Sequence, residues 1–188
     1  MIDDPRRAGM TSYAVNIMLL GLLAAASWTD FRESRIPNLL TLPAAVAGVS
    51  FHAAAAGLDG FFFGLWGWAL GVGLLFVPYL LSGVGAGDVK LMGAVGSFLG
   101  PQAVFEAFLV SALFGGLYAV LVILVRREAF QGFFRERLSA LCAAAATRSV
   151  SPLGFEAVRG RPRLRYGLAI ALGTTTHIVF RAYGIALL

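Results

Sequence analysis

Apolar residues run along the chain in long blocks, broken by short polar links. The blocks cover about 11–29, 39–57, 61–82, 88–100, 103–125 and 166–187. Crossing ~30 Å of hydrocarbon takes ~20 residues of helix, and most of the blocks have that length. Two-residue alternation is missing, so the pattern predicts membrane helices and not a strand barrel. The expected fold is all-α: a polytopic bundle of about six transmembrane helices forming one membrane domain over 1–188.

The fourth block is short: ~12 helical residues rise only ~18 Å. It either spans or re-enters. If it spans, the link Asp30–Asn38, the turn Gly83–Lys90 and the long stretch 126–165 share one side of the bilayer. Both termini then lie on the other side.

Charge decides which side that is. Lys and Arg number 15 in the chain. Nine of these fall between Arg126 and Arg165, against Glu128, Glu136 and Glu156, which gives that stretch a charge of +6. Basic loops between apolar helices stay in the cytoplasm. The pI of about 10.0 therefore reads as topology and not as nucleic-acid binding. Hydrophobic residues make up 59% of the chain and mean hydropathy is +0.80, outside the range of soluble domains.

Within the basic stretch, Phe130, Phe133, Phe134, Leu138, Leu141 and Cys142 recur at helical spacing. They predict an amphipathic helix on the cytoplasmic leaflet. Cys142 is the single cysteine, so neither an internal disulfide nor a cysteine metal site is expected. Arg6, Arg7 and Ala24–Ala26 resemble a cleavable signal. Nine basic residues outweigh two in setting orientation, and the first helix is expected to remain.

Ionisable residues at the edges of membrane helices are costly and mark function by default. Asp30 closes the first block and Asp88 opens the fourth, both on the expected cytoplasmic side. Two carboxylates brought together hold one proton between them and titrate as a unit. That arrangement suits an aspartic peptidase: one carboxylate takes a proton from water while its partner donates to the peptide carbonyl. Gly85 and Gly87 lack a Cβ and allow an extended substrate backbone to approach. The residues alone also fit a glycine turn with Asp88 as a helix cap.

Three segments carry a resemblance. Gly85-Ala-Gly-Asp88-Val-Lys90-Leu resembles the Gly-x-Gly-Asp-x-Lys-Leu motif of the type IV prepilin peptidases. Asp30-Phe-Arg-Glu-Ser-Arg-Ile-Pro37-Asn38 resembles that family's first aspartate motif. Arg165-Tyr-Gly-Leu-Ala-Ile-Ala is similar to the start of its last helix, with Arg165 where a proline is usual. The resemblance is greatest to the short members that serve Flp/Tad pili. It implies an intramembrane aspartic endopeptidase of the bacterial inner membrane that removes the leader of an Flp-type prepilin at the cytoplasmic face. It implies catalysis by Asp30 and Asp88, without zinc, cofactor or methyltransferase activity. Gly85, Gly87, Lys90, Pro37 and Asn38 would bind substrate or shape the site.

Two rival readings stay open. One is a small transporter or proton-relay subunit using the Asp30/Asp88 pair, although inverted repeats are missing. The other is a silent assembly scaffold. Lys90, the only lysine, either places a cation near Asp88 or snorkels to the interface. Gly64, Gly67 and Gly71 share one helix face, and Gly93, Gly96 and Gly100 repeat that spacing, which permits close helix approach. Glu106 is expected near the outer interface in solvent. His52 and His177 are expected to be satisfied polar groups in apolar helices. The oligomeric state is not legible.

Overall fold

A computed structural model describes residues 5–33, 35–80, 84–125 and 166–185, and side chains from Tyr13 onward as far as Leu121 and again from Tyr166. The expected amphipathic helix, Cys142 and the basic stretch lie outside the described residues.

Everything described is helical apart from short links. Helix α1 runs Pro5–Glu33, α2 Asn38–Leu80, α3 Ala86–Val125 and α4 Tyr166–Ala182. The first three are long and apolar enough to cross a membrane. Two of them contain internal breaks. In α2, Ala56 and Gly57 leave helical geometry, with Gly57 at φ 62°. In α3 the break is Gly100, at φ 79°, followed by Pro101. Positive φ is inexpensive only for glycine, and proline is well suited to the first position of the helix that resumes. Each break divides a helix of 40 or more residues into two runs.

The first helix continues one turn past the expected boundary, so Asp30 lies inside α1 and not in the link. The link proper is short. Pro37 accepts from the Leu40 and Thr41 amides at 3.1 and 3.4 Å, and this opens α2.

The chain falls into two compact units, residues 1–115 with 163–188, and 116–162. Of the second, only the helical residues 116–125 are described. In the first, large apolar side chains lie on the outside as well as in the core, as with Leu39 at 85% exposed and Leu113 at 73%. The interior combines a hydrophobic core that includes Leu19, Leu75, Leu91, Met92 and Ile170 with buried polar residues, among them Asp30, Thr41, Asp88, Ser97, Ser111 and Thr174. In water such an exterior would be an aggregation surface, whereas in lipid it is the solvated face.

Glycine faces allow the interior to close. A Cβ on Gly67 would collide with the Gly96 carbonyl, and one on Gly96 with the Gly67 carbonyl. A Cβ on Gly71 would strike the Met92 carbonyl, and one on Gly48 the Ser97 hydroxyl. The two glycine faces noted in the sequence thus meet, backbone against backbone. That contact fixes the first run of α3, which begins with the Asp88 turn.

Candidate active site

Asp88 sits in the first turn of α3. Gly85 is the residue before the helix: its carbonyl accepts from the Asp88 and Val89 amides at 3.1 and 3.3 Å. In return the Gly85 amide donates to Asp88 Oδ2 at 3.0 Å. This is half of a capping box, with the acidic side chain reaching back to an otherwise unpaired N–H. Asp88 is therefore not the cap residue itself, and its carboxyl is held at the helix tip by its own backbone.

Asp30 approaches from the last turns of α1. Both aspartates are 7% exposed, and their carboxyl groups are close enough to interact electrostatically. The start of α4 completes the arrangement. The Gly167 backbone amide faces the Asp88 carboxyl. A Cβ placed on Gly167 would stand 3.0 Å from Asp30 Oδ2 and 3.1 Å from Ile36 Cδ1. Glycine is needed there for that closeness. The first amides of α4 lack intrahelical partners and point toward a place where negative charge is welcome. Three helix ends thus converge on two carboxyl groups.

The other site residues foreseen in the sequence divide. A Cβ on Gly85 would stand 3.2 Å from Asp88 Oδ2, so its lack of a side chain leaves room for the carboxyl to turn back onto the Gly85 amide. Gly87 does not open onto free space. A Cβ there would meet Ile36 Cβ at 3.1 Å and the Ile36 carbonyl at 3.3 Å, so Gly87 seats the link against α3. Lys90 Nζ donates to Asn38 Oδ1 at 2.8 Å. Its ammonium is thereby directed at the start of α2 and not at Asp88. It also borders a groove of about 410 Å³ whose other walls include Leu42, Trp68 and Phe76. Lys90 and Asn38 together tie the two aspartate-bearing segments to each other. Pro37 and Asn38 act through shape, as the opening of α2.

Sequence reasoning did not assign Gly167 to the site. The signal was present in the Tyr166-Gly167 segment, yet nothing in its spacing says that it folds back onto Asp30. Tyr166 lies close enough to feel the Asp88 charge. Its ring fills the space where a Cβ on Gly115 would lie.

Away from this site, two expectations change or gain detail. His52 Nε2 lies 2.8 Å from the Phe98 carbonyl, a satisfied polar group. Glu106 is not in solvent. Its Oε2 lies 3.4 Å from His177 Nδ1, with side chains only 12% and 3% exposed. Among the described residues, no group of three or more His, Cys, Asp or Glu comes together to hold a metal ion.

Two buried carboxyl groups brought together at converging helix ends form a pair that can share one proton. The comparisons give the family. Residues 17–120 match the type IV leader peptidase family, and the chain belongs to it. It is similar to a prepilin leader peptidase/N-methyltransferase of Bacillus subtilis, 34% identical over 118 residues, covering 60% of this chain and 46% of that protein. A protein of the same description from Escherichia coli is 33% identical over 106 residues, covering 53% and 47%. One from Aeromonas salmonicida is 30% identical over 118 residues, covering 60% and 40%. The chain thus spans less than half the length of the curated relatives it matches. No solved structure matches it.

Proposed function

We propose that this protein is an aspartic endopeptidase that removes the leader from prepilin-like precursors, working within the membrane. The observation that carries the reading is the meeting of Asp30 and Asp88, both buried, at the first turn of α4. Placing two like charges together in an apolar bundle works against stability unless they share a proton. Sharing a proton is what hydrolysis by this class of enzyme requires.

In the proposed reaction, the ionised carboxyl takes a proton from a water held between the pair. The other carboxyl, protonated, donates a hydrogen bond to the scissile carbonyl. Attack forms a tetrahedral intermediate, and the proton gained from water passes to the leaving amine. The Gly85 and Gly167 amides hold Asp88 in place through this cycle. Lys90 and Asn38 clamp the α3 tip to the start of α2, and Gly87 lets the Ile36-Pro37 link close on it.

The same reading extends to topology. The breaks at Ala56–Gly57 and Gly100 divide α2 and α3 into runs that fit six crossings of the bacterial inner membrane. The site and the 126–165 stretch then lie at the cytoplasmic face. The substrate is a prepilin, and by the sequence resemblance one of Flp type. The relay alternative draws on one observation, the second ionisable pair, at Glu106 and His177.

Co-expression of the chain with a candidate prepilin from the same genome tests the reading. The expected result is a leader-sized increase in prepilin mobility that depends on the chain. Unchanged mobility across every prepilin of that genome would refute it.

A further inference from the structure

The Glu106–His177 pair, with His177 buried and Glu106 partly so, is not used by the chemistry above. It joins α3 to α4 at the end remote from the aspartates. His177 is eleven residues beyond Tyr166, which places it about 16 Å along the helix. Glu106 is held from two sides: Oε2 lies 3.4 Å from His177 Nδ1, and Gln102 Nε2 donates to Oε1 at 3.4 Å. Arg181, one turn past His177 and exposed, is near enough to act on it electrostatically.

Between this pair and the aspartates, α4 and the second run of α3 touch in an antiparallel register. Tyr166 lies on Gly115, and Gly173 lies on Ser111, where a Cβ would collide with both the hydroxyl and the backbone. His177 meets Glu106. Two of these three contacts depend on glycine. Small residues allow close approach, but their faces are smooth and define axial position poorly. Forty residues (126–165) separate α3 from α4 in sequence, enough that chain connectivity alone does not set their register. His177 is buried with neither ring nitrogen hydrogen-bonded, so the nearby Glu106 carboxylate is what offsets its burial, and sliding the helices would remove it.

We infer that Glu106 and His177 are positioning residues: their pairing sets the register of α4 against α3 and thereby seats Tyr166 and Gly167 at the Asp30–Asp88 pair. The inference rests on the peptidase reading of that pair. A shift of about 1 Å at a catalytic centre costs up to ~100-fold in rate, so a contact at the far end of α4 is felt in the chemistry.

The test uses the full chain, purified in detergent as monodisperse protein, with four variants: Glu106→Gln, Glu106→Leu, His177→Leu, and the exchange Glu106→His with His177→Glu. Two readouts are taken. One is prepilin cleavage, with kcat and KM separated. The other is hydrogen exchange of the Tyr166–Ala169 amides, which reports the seating of α4 whether or not prepilin is cut.

Glu106→Leu and His177→Leu should lower kcat about ten- to a hundredfold with KM within about threefold, and should speed exchange at 166–169 about tenfold. Glu106→Gln keeps the length and an acceptor, and should retain at least about a third of the rate. The exchange variant should recover kcat to within about fivefold of the parent.

Unchanged exchange at 166–169 in both leucine variants would overturn the inference, whatever the cleavage result. Glu106→Gln as inactive as Asp88→Asn would also overturn it, in favour of a proton relay. If the parent cuts no prepilin but the leucine variants still speed exchange at 166–169, the positioning role stands and the peptidase reading falls.

Discussion

Among the described residues two ionisable pairs come together, one buried and one partly buried, and they differ in kind. Glu106 and His177 are complementary, and they meet side by side on two packed helix faces. Asp30 and Asp88 are alike in charge, and they meet where helix ends converge on backbone amides. The first pair needs no chemistry to account for it, because a carboxylate beside an imidazole offsets part of the cost of placing either in the bundle. The second is a liability for folding, and its surroundings are built for orientation. Gly85 makes room for the Asp88 carboxyl, Gly167 brings a helix terminus against the pair, and Ile36 closes the side. Where a fold carries an unfavourable pair in so specific a setting, function is the economical explanation.

Apart from the aspartates themselves, that contrast can be broken at Gly167 with the largest expected effect. A methyl group there would stand 3.0 Å from Asp30 Oδ2. Gly167→Ala should lower kcat about tenfold and Gly167→Val about a hundredfold, measured on purified protein with prepilin. Full activity in Gly167→Val would mean that the α4 terminus is not part of the site.

A smaller loss is expected from Gly87→Ala. The new methyl would press on Ile36 at 3.1 Å, and a several-fold fall in kcat should follow as the link moves. Lys90→Ala and Asn38→Ala remove the two ends of one 2.8 Å hydrogen bond. Each should cost about 1 kcal/mol of clamp energy, and the double variant should be no worse than either single one. A double-mutant cycle in cleavage rate measures this, and simple additivity would show that the bond does not couple the two segments.

Stability answers to a different region. Gly67→Ala inserts a methyl into the Gly96 carbonyl and should destabilise the bundle by about 1–3 kcal/mol, read from thermal unfolding in detergent. The smallest effects belong to the exposed acids Glu33 and Asp59. Glu33→Gln and Asp59→Asn should leave cleavage within about twofold of the parent, because each side chain faces solvent or headgroups.

The sequence was informative where physics is local. Hydropathy blocks announced long apolar helices, and Gly57 and Gly100-Pro101 announced the breaks within them. The two aspartates were legible because charge at the edge of an apolar run is rare. Contacts between distant segments were not legible. Nothing in the spacing brings Gly167 to Asp30, turns Lys90 toward Asn38, or pairs Glu106 with His177 across 71 residues of chain. Those contacts follow from how the helices nest, and the nesting depends on which glycine faces meet. The end of α1 lies further on than hydropathy suggests. Asp30 looks like a boundary, but the helix continues to Glu33, with the Arg32 guanidinium 5.3 Å from the Trp28 ring one turn back.

The central claim is that Asp30 and Asp88 act as one unit on the scissile bond. It is tested most directly by single-turnover prepilin cleavage with purified parent, Asp30→Asn, Asp88→Asn and the double variant. Asparagine keeps the size and much of the hydrogen bonding but can neither take up nor supply the proton. Each single variant should therefore lose about a hundred- to ten-thousandfold in rate while still inserting and accumulating. The double variant should be within a few-fold of either one. Cleavage that survives neutralisation of either aspartate, or losses that multiply in the double variant, would contradict the account.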